Sequence, residues 1–400
     1  MQPAHASQAQ PDSADLGAWL RLSLTPGIGN QRARQLLRAF GLPQQIFESS
    51  QTALSAVVGA AHARALSEPP NGLDDLLRST LDWLAADPQQ RRMLTLGDPA
   101  YPRCLLELED PPLILYGMGL ASSWEVLADE RTGLDRAQAA GIAIVGSRNP
   151  TPQGASNAHD FALALAQAGL TVVSGMALGV DAAAHAGALQ AAASGTETGA
   201  TIATIAVVGT GLDRVYPKQH RALAHQIAQG GVILSEYHLG TPPLAANFPQ
   251  RNRLIAGLSR GTLVVEAALQ SGSLITARLA LEQGRDVFAI PGSIHSTQSK
   301  GCHALIKQGA KLVESAQDIL EELQFATRAP LVSAGTEPET VSPALTALLQ
   351  ALGFDPIGLD GLQARSGLPT PLLQAQLMEL ELLGLVARLP GGTFQRIARA

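Results

Sequence analysis

The chain is short of the residues that would make several functional classes easy to assign. Two cysteines among 400 residues, Cys104 and Cys302, give no disulfide framework and point to a reducing compartment. No stretch approaches the roughly 20 apolar residues of a membrane helix. Residues 1–13, with neither a basic start nor an apolar run, read as a disordered tail and not as a signal peptide. A cytoplasmic protein without membrane association is the expectation. No G-x-x-x-x-G-K-[ST] segment occurs, which argues against P-loop ATP hydrolysis. Gly209-Thr210-Gly211 lacks the third glycine of a dinucleotide fingerprint, Arg214 standing in its place, so a nicotinamide cofactor is not expected. Cys302, His303 and His295 are too few and too irregularly spaced for zinc. No Ser/His/Asp set can be assembled, and the expectation is no metal and no cofactor.

What is present is apolar and regularly spaced. Charged residues make up 16% of the chain and apolar ones 46%, a balance that suits buried α/β structure. Short β-branched runs at 142–145, 171–173, 202–208, 232–234, 263–265 and 287–290 alternate with helical stretches such as 157–168 and 221–229. That alternation predicts βαβ units in a doubly wound, mostly parallel sheet, an extended Rossmann-like core over residues 91–320. The runs are continuously apolar, as strands buried on both faces are. Each one ends in small, polar or glycine residues, and open parallel sheets bind ligands beyond the carboxyl ends of their strands.

Two smaller units flank the core. Residues 14–90 read as a helical domain of the SAM or helix-hairpin-helix kind, its first two helices joined by Thr25-Pro26-Gly27-Ile28-Gly29. The amides at Gly27 and Gly29, with Arg32 and Arg34 beside them, suit a phosphate. An αα-hairpin that only packs is the other reading. Residues 321–341 read as a linker. Residues 342–400 show three helices and a hairpin in the order of a winged helix. Its recognition helix, from 370, carries Glu379 and Glu381 and no Lys or Arg, where a groove-reading helix needs cations. Contact with protein, or with nothing, is expected of it. Residues 195–200 read as a surface insertion.

Charge is unevenly spread. Residues 247–307 hold seven Lys or Arg and three acids, a net +4 in a chain of net −6. Overall acidity does not exclude a local basic groove, because screening confines charge effects to about 10 Å. Phe248 with Arg251, Asn252 and Arg253 suggests a site for a phosphate backbone with an unstacked base. Gly146-Ser147-Arg148 offers a cradle with a guanidinium. Ser174-Gly175-Met176-Ala177 follows a strand and opens a helix, a second cradle. Asp181 reads as a capping residue and His185 as a structural hydrogen-bonding one. Lys218 and Lys300 lie within reach of the same edge. Glu236 and Glu266 end strands and suit either a base or a buried hydrogen-bonding role.

Together these segments resemble the DNA-processing protein A (DprA/Smf) family. They are GSRNPT from Gly146, SGMALGVDAAAH from Ser174, GTGLDRVYP from Gly209 and SEYHLGTPPLAANFPQRNRLIAGLS from Ser235. VVEAALQSGSLITARLALEQGRDVFAIPG from Val264 and SKGCHALIKQGA from Ser299 complete the set. The resemblance implies a Rossmann-like core that dimerises, binds single-stranded DNA and brings the recombinase RecA onto it in natural transformation, without catalysis. Carried over by residue, it puts Arg148, the Ser174–Ala177 loop, Lys218, Phe248, Arg251 and Asn252 on the DNA-facing edge. Arg148, Lys218 and Arg251 would then pair with phosphates, the Gly175 and Ala177 amides would cradle one, and Phe248 would stack on a base. His220 and His303 stand where the family often has Asn. The competing readings are a nucleoside-monophosphate-cleaving enzyme of the lysine-decarboxylase-like Rossmann group, and an adaptor acting through its terminal domains.

Overall fold

The computed structural model describes residues 13–98, 100–128, 141–194, 202–325, 342–389 and 391–397. Residues 1–12 of the tail, the 195–200 insertion and most of the expected linker therefore lie outside the described residues, and Ser13 already opens the first helix, Ser13–Leu24. Two strands that the apolar runs did not announce open the sheet, β1 (Arg91–Thr95) and β2 (Ile114–Gly119). The six expected strands follow: β3 (Gly141–Val145), β4 (Thr171–Ser174), β5 (Thr204–Val207), β6 (Val232–Ser235), β7 (Gly261–Val264) and β8 (Asp286–Ala289). A two-residue β9 (Lys311–Leu312) closes it.

Among the described residues the sheet order is β1-β2-β6-β5-β4-β3-β7-β8-β9. β2 pairs antiparallel with β1 and with β6, and the remaining neighbours are parallel. Strands β4 to β6 step away from β3 on one side, and β7 to β9 on the other. Loops leaving β3 and β7 therefore diverge to opposite faces, which opens a crevice past their carboxyl ends.

Period-2 side-chain alternation divides β3 between two cores. Ile142 and Ile144 pack with Phe161, Leu165 and Phe288, and Ala143 and Val145 with Leu254, Ile255 and Ala277. The helix Pro152–Gln167 starts where Thr151 caps it, its hydroxyl accepting from the Gly154 amide at 3.0 Å, with proline at the first turn.

The N-terminal helices share a core with the antiparallel edge of the sheet. Leu16, Trp19, Leu20 and Leu36 cluster with Met93, Tyr116 and Ile233. Trp83 meets Tyr116 edge to face, with centroids 6.0 Å apart. A polar seam joins the two layers: Ser23 Oγ lies 3.1 Å from His238 Nε2, whose Nδ1 lies 3.3 Å from the Tyr116 hydroxyl. Burial lowers His238 to about 4.

The expected linker boundary at 321 falls inside a helix, Ala316–Glu322, and Phe325 still packs on the sheet core. Beyond residue 342 a separate core forms around Leu345, Leu348, Leu362, Leu373, Leu377 and Phe394. Its helices Pro343–Leu352, Leu359–Ser366 and Thr370–Leu382 come with β10 (Ile357–Gly358), β11 (Val386–Leu389) and β12 (Thr393–Arg396). The three strands pair in the order β10-β12-β11, a winged helix.

Candidate nucleic-acid interface

The crevice at the β3/β7 divergence is a cleft of about 660 Å³. Gly146, Ser147 and Arg148 from the end of β3 line one wall. Gln270 to Ser273, with Thr276, line the other, and Phe248, Arg251 and Asn252 of the helix Asn247–Gly257 lie between. The β3 and β4 loops clasp one another, the Val180 amide donating to the Ser147 carbonyl at 3.1 Å. A Cβ at Gly146 would stand 2.7 Å from Val180, so glycine is what lets these loops close.

The second cradle differs from its expected use. The Gly175 and Ala177 amides donate to Asp181 Oδ2 at 3.1 and 3.2 Å. The protein's own carboxylate thus sits where a phosphate was expected. Ser174 is buried, its hydroxyl donating to the Ile144 carbonyl at 2.7 Å. Met176 is held at φ 56° in the left-handed region, and its carbonyl lies 3.0 Å from His220 Nδ1. That contact gives the histidine in the Tyr-Pro segment a local role, pinning the β4 loop. Burial pushes the Asp181 carboxyl up, with the Arg251 guanidinium and the two amides opposing it.

Arg251 is the floor of the cleft and not a free cation. It is 4% exposed, its Nη1 donates to the Val207 carbonyl at 2.5 Å, and its Nε has no partner among the described residues. Burial lowers its pKa to about 10, with Asp181 opposing the shift, so it stays protonated at neutral pH.

Arg148 is exposed on the rim, with Cζ 5.8 Å from the centroid of the Phe248 ring. Tyr216, 44% exposed, stands 5.5 Å from the same ring at 39°. Two aromatic faces and a guanidinium in one exposed cluster suit a stacked base and its phosphate. Lys218 is exposed in the short turn Lys218–His220, two residues beyond Tyr216.

Other expected residues are engaged elsewhere. Arg253 pairs with Glu236, Nη2 to Oε2 at 2.5 Å, and does not line the cleft. Glu266 is bound at both oxygens by Thr151, its Oε2 by the amide at 2.9 Å and its Oε1 by the hydroxyl at 2.6 Å. Both strand-end glutamates therefore hold structural bonds, and burial raises both carboxyls. His185 is fully buried, Nδ1 at 2.7 Å from Thr204 Oγ1. Burial takes it to about 3, with Arg251 and His220 adding to the fall. Lys300 is exposed and donates to the Ile294 carbonyl at 2.5 Å, and His303 Nε2 lies 3.0 Å from the Gly292 carbonyl.

In the N-terminal hairpin, Arg32 donates to the Gly27 carbonyl at 3.0 Å and Arg34 to the Glu109 carbonyl. A Cβ on Gly27, at φ 80°, would meet the His62 ring at 2.9 Å. The exposed Gly29 has open space around it. These contacts fasten the hairpin to its own surroundings. Sequence reasoning missed Tyr216 and the Ser271–Thr276 wall. The local signals were the Tyr-Pro pair before Lys218 for the first and the Ser-Gly-Ser segment after β7 for the second.

Fold and cleft together define a doubly wound α/β protein with a cationic and aromatic crevice and an appended winged helix. Residues 92–324 match the family described as DNA recombination-mediator protein A, and residues 332–392 match the DprA winged helix domain. Protein Smf of Synechocystis sp. is 36% identical over 94% of this chain and 98% of its own length. Protein Smf of Escherichia coli is 41% identical over 84% of both chains. The X-ray structure of DNA processing protein A from Streptococcus pneumoniae superposes with a TM-score of 0.62 at 36% identity. It spans 79% of this chain and 100% of its own. The chain belongs to the DNA recombination-mediator protein A family. Among the described residues no helix is long and apolar enough to cross a membrane.

Proposed function

We propose that the protein is a single-stranded DNA-binding recombination mediator of the cytoplasm. It takes an unstacked strand at the β3/β7 crevice and hands it to RecA, acts as a homodimer, and catalyses no covalent step. The observation that carries this reading is the rim cluster. Arg148 lies 5.8 Å over Phe248 with Tyr216 alongside, all at the strand ends where a doubly wound sheet takes its ligands. Base stacking on such a ring is worth about 1–3 kcal/mol and is indifferent to sequence.

The engagement of Glu266 by Thr151 and of Glu236 by Arg253 supports a binding role over nucleotide cleavage, since neither carboxylate is free to act as a base. The winged helix is assigned no duplex contact. Its helix Thr370–Leu382 presents Glu379 and Glu381 and no cation, with Met378 63% and Leu382 80% exposed.

Fluorescence anisotropy with labelled oligo-dT and its duplex counterpart tests the reading. Salt-sensitive preference for the single strand, weakened by Arg148→Ala and by Phe248→Ala, is expected. Binding indifferent to both substitutions would move the site to the terminal units. Stimulation of RecA strand exchange on the same oligonucleotide tests the hand-over.

A further inference from the structure

The winged helix has its own core and lends no residue to the crevice, yet it leaves one helix face uncovered. The helix Thr370–Leu382 turns Leu373, Leu377 and Leu380 into that core, at i, i+4 and i+7. Its opposite face is apolar as well. Leu372, Ala375, Met378 and Leu382 recur there every three or four residues, with Leu383 just beyond, and all five are exposed. Leu372 is 45% exposed, Met378 63%, Leu382 80% and Leu383 40%. Single exposed apolar residues are ordinary, but a continuous stripe of them on a soluble protein marks a contact surface.

Charge decides what such a surface can hold. Glu379 and Glu381 stand in the last turn, beside Met378 and Leu382, and the helix carries no Lys or Arg. That end is already negative through its unpaired carbonyls and the helix dipole, and cations are the side chains favoured there. The nearest cations along the chain, Arg365 and Arg388, belong to the preceding helix and to β11. Among the described residues neither forms an ion pair with these acids. The face is therefore apolar along its length and anionic at its C-terminal end. Duplex DNA would meet repulsion at the phosphates. A second copy of the same face would cover the apolar stripe but bring no cation to either acid. A partner that satisfies both features has an apolar stripe flanked by Lys or Arg.

We propose that the outer face of the helix Thr370–Leu382 docks a basic amphipathic helix of a partner protein. Apolar side chains of the partner cover Leu372, Ala375, Met378 and Leu382, and its cations meet Glu379 and Glu381. The stripe from Leu372 to Leu382 runs about 15 Å, the length of roughly three helical turns. Docking on this face is independent of what the crevice binds.

The test is selection of phage-displayed random peptides of about 16 residues, long enough for four turns, on the full-length protein. Wild type would be run beside Leu382→Asp, Met378→Asp and the charge reversal Glu379→Lys with Glu381→Lys. Peptides recovered on wild type should carry apolar residues at i, i+3 or i+4, and i+7, together with Lys or Arg. Made synthetically, they should bind less tightly as salt rises and lose about tenfold or more in affinity for Leu382→Asp and Met378→Asp, the scale of removing one interface anchor. The charge reversal should recover acidic peptides instead, a switch that a merely structural role would not produce. Because every substituted side chain lies outside the core, the unfolding midpoint and oligo-dT affinity should stay at their wild-type values.

No enriched peptide, peptides without a basic bias, or binding indifferent to these substitutions would overturn the proposal. Light scattering and duplex binding cover the other occupants. Self-association of wild type that Leu382→Asp abolishes would give the face to a second copy of the chain. Duplex affinity that falls in Leu382→Asp would give it to DNA. Either result would overturn the basic helix as occupant.

Discussion

Gly175→Ala is expected to destabilise the core through one contact. A methyl carbon at this position would stand 2.0, 2.2 and 2.4 Å from Nη1, Nη2 and Cζ of Arg251. Non-bonded carbons settle near 3.5 Å, so the guanidinium must withdraw by about 1 Å. A surface arginine would swing aside at almost no cost, being the end of a flexible chain. Arg251 is 4% exposed, and Nη1 is anchored to the Val207 carbonyl at 2.5 Å. A withdrawal of about 1 Å stretches that bond past useful length. Losing a hydrogen bond made by a charged group costs about 1.5–3 kcal/mol. Loosened attraction to Asp181 adds to this, so about 3 kcal/mol is expected.

In a unit of this size, about 3 kcal/mol corresponds to a fall of roughly 6–12 °C in the core's unfolding transition, read by calorimetry. The control is a double-mutant cycle. In an Arg251→Met background the alanine has no guanidinium to displace, and its cost should fall to about 1 kcal/mol or less. Equal destabilisation in both backgrounds would refute the reasoning, because the clash would then lie elsewhere.

Removing Arg148 should weaken oligo-dT binding and reduce the magnitude of the salt slope by about 0.7, the contribution of one phosphate contact on a single strand. An unchanged slope would mean that Arg148 meets no phosphate. Stability should also depend on His238 and His185, whose folded pKa values of about 4 and about 3 lie below the ordinary 6.5. The unfolded chain then binds more protons than the folded one, and stability present above pH 6.5 is lost as pH falls toward 4. For His238 alone this comes to roughly 3 kcal/mol across that window. His238→Gln should flatten the midpoint-against-pH curve by about one proton, and an unaltered curve would exclude the Ser23–His238–Tyr116 seam as its source. The upward-shifted carboxyls of Asp181, Glu236 and Glu266 act in the opposite sense at the acid end, so the range from pH 6.5 to 5 is the one to read. Thr151→Val removes both the helix cap and a donor to buried Glu266. A loss of about 1–3 kcal/mol is expected, largely restored by Thr151→Ser, and thermal unfolding of the three proteins decides it.

The sheet was legible where strands are buried on both faces. β3 to β7 are each buried along their whole length, and their apolar runs show it. β1, whose sequence is RRMLT, and β2, which carries two glycines, sit at the sheet's antiparallel margin. Their composition answers to the helices packed against them more than to a strand pattern, and they were missed. His185 as a structural residue was also legible, because a histidine on an apolar face has a common structural use, whereas Asp181, read as a helix cap, instead accepts the amides of the loop before its helix.

By itself the sequence determined the α/β alternation, the winged helix and the edge of the sheet where chemistry gathers, because hydrophobic period and glycine placement are local properties of the chain. It also determined the family, through long motifs in order. Only the tertiary structure decided which of several identical side chains is available there. Arg148, Arg251 and Arg253 read alike as letters, yet one stands over Phe248 at the rim, one lies buried beneath the cleft, and one is spent on Glu236. The Gly175 and Ala177 amides read as a phosphate cradle until Asp181, from the next helical turn, fills it. Exposure and pairing depend on partners distant in sequence. A local pattern sets what a side chain can do, and packing sets whether it is free to do it.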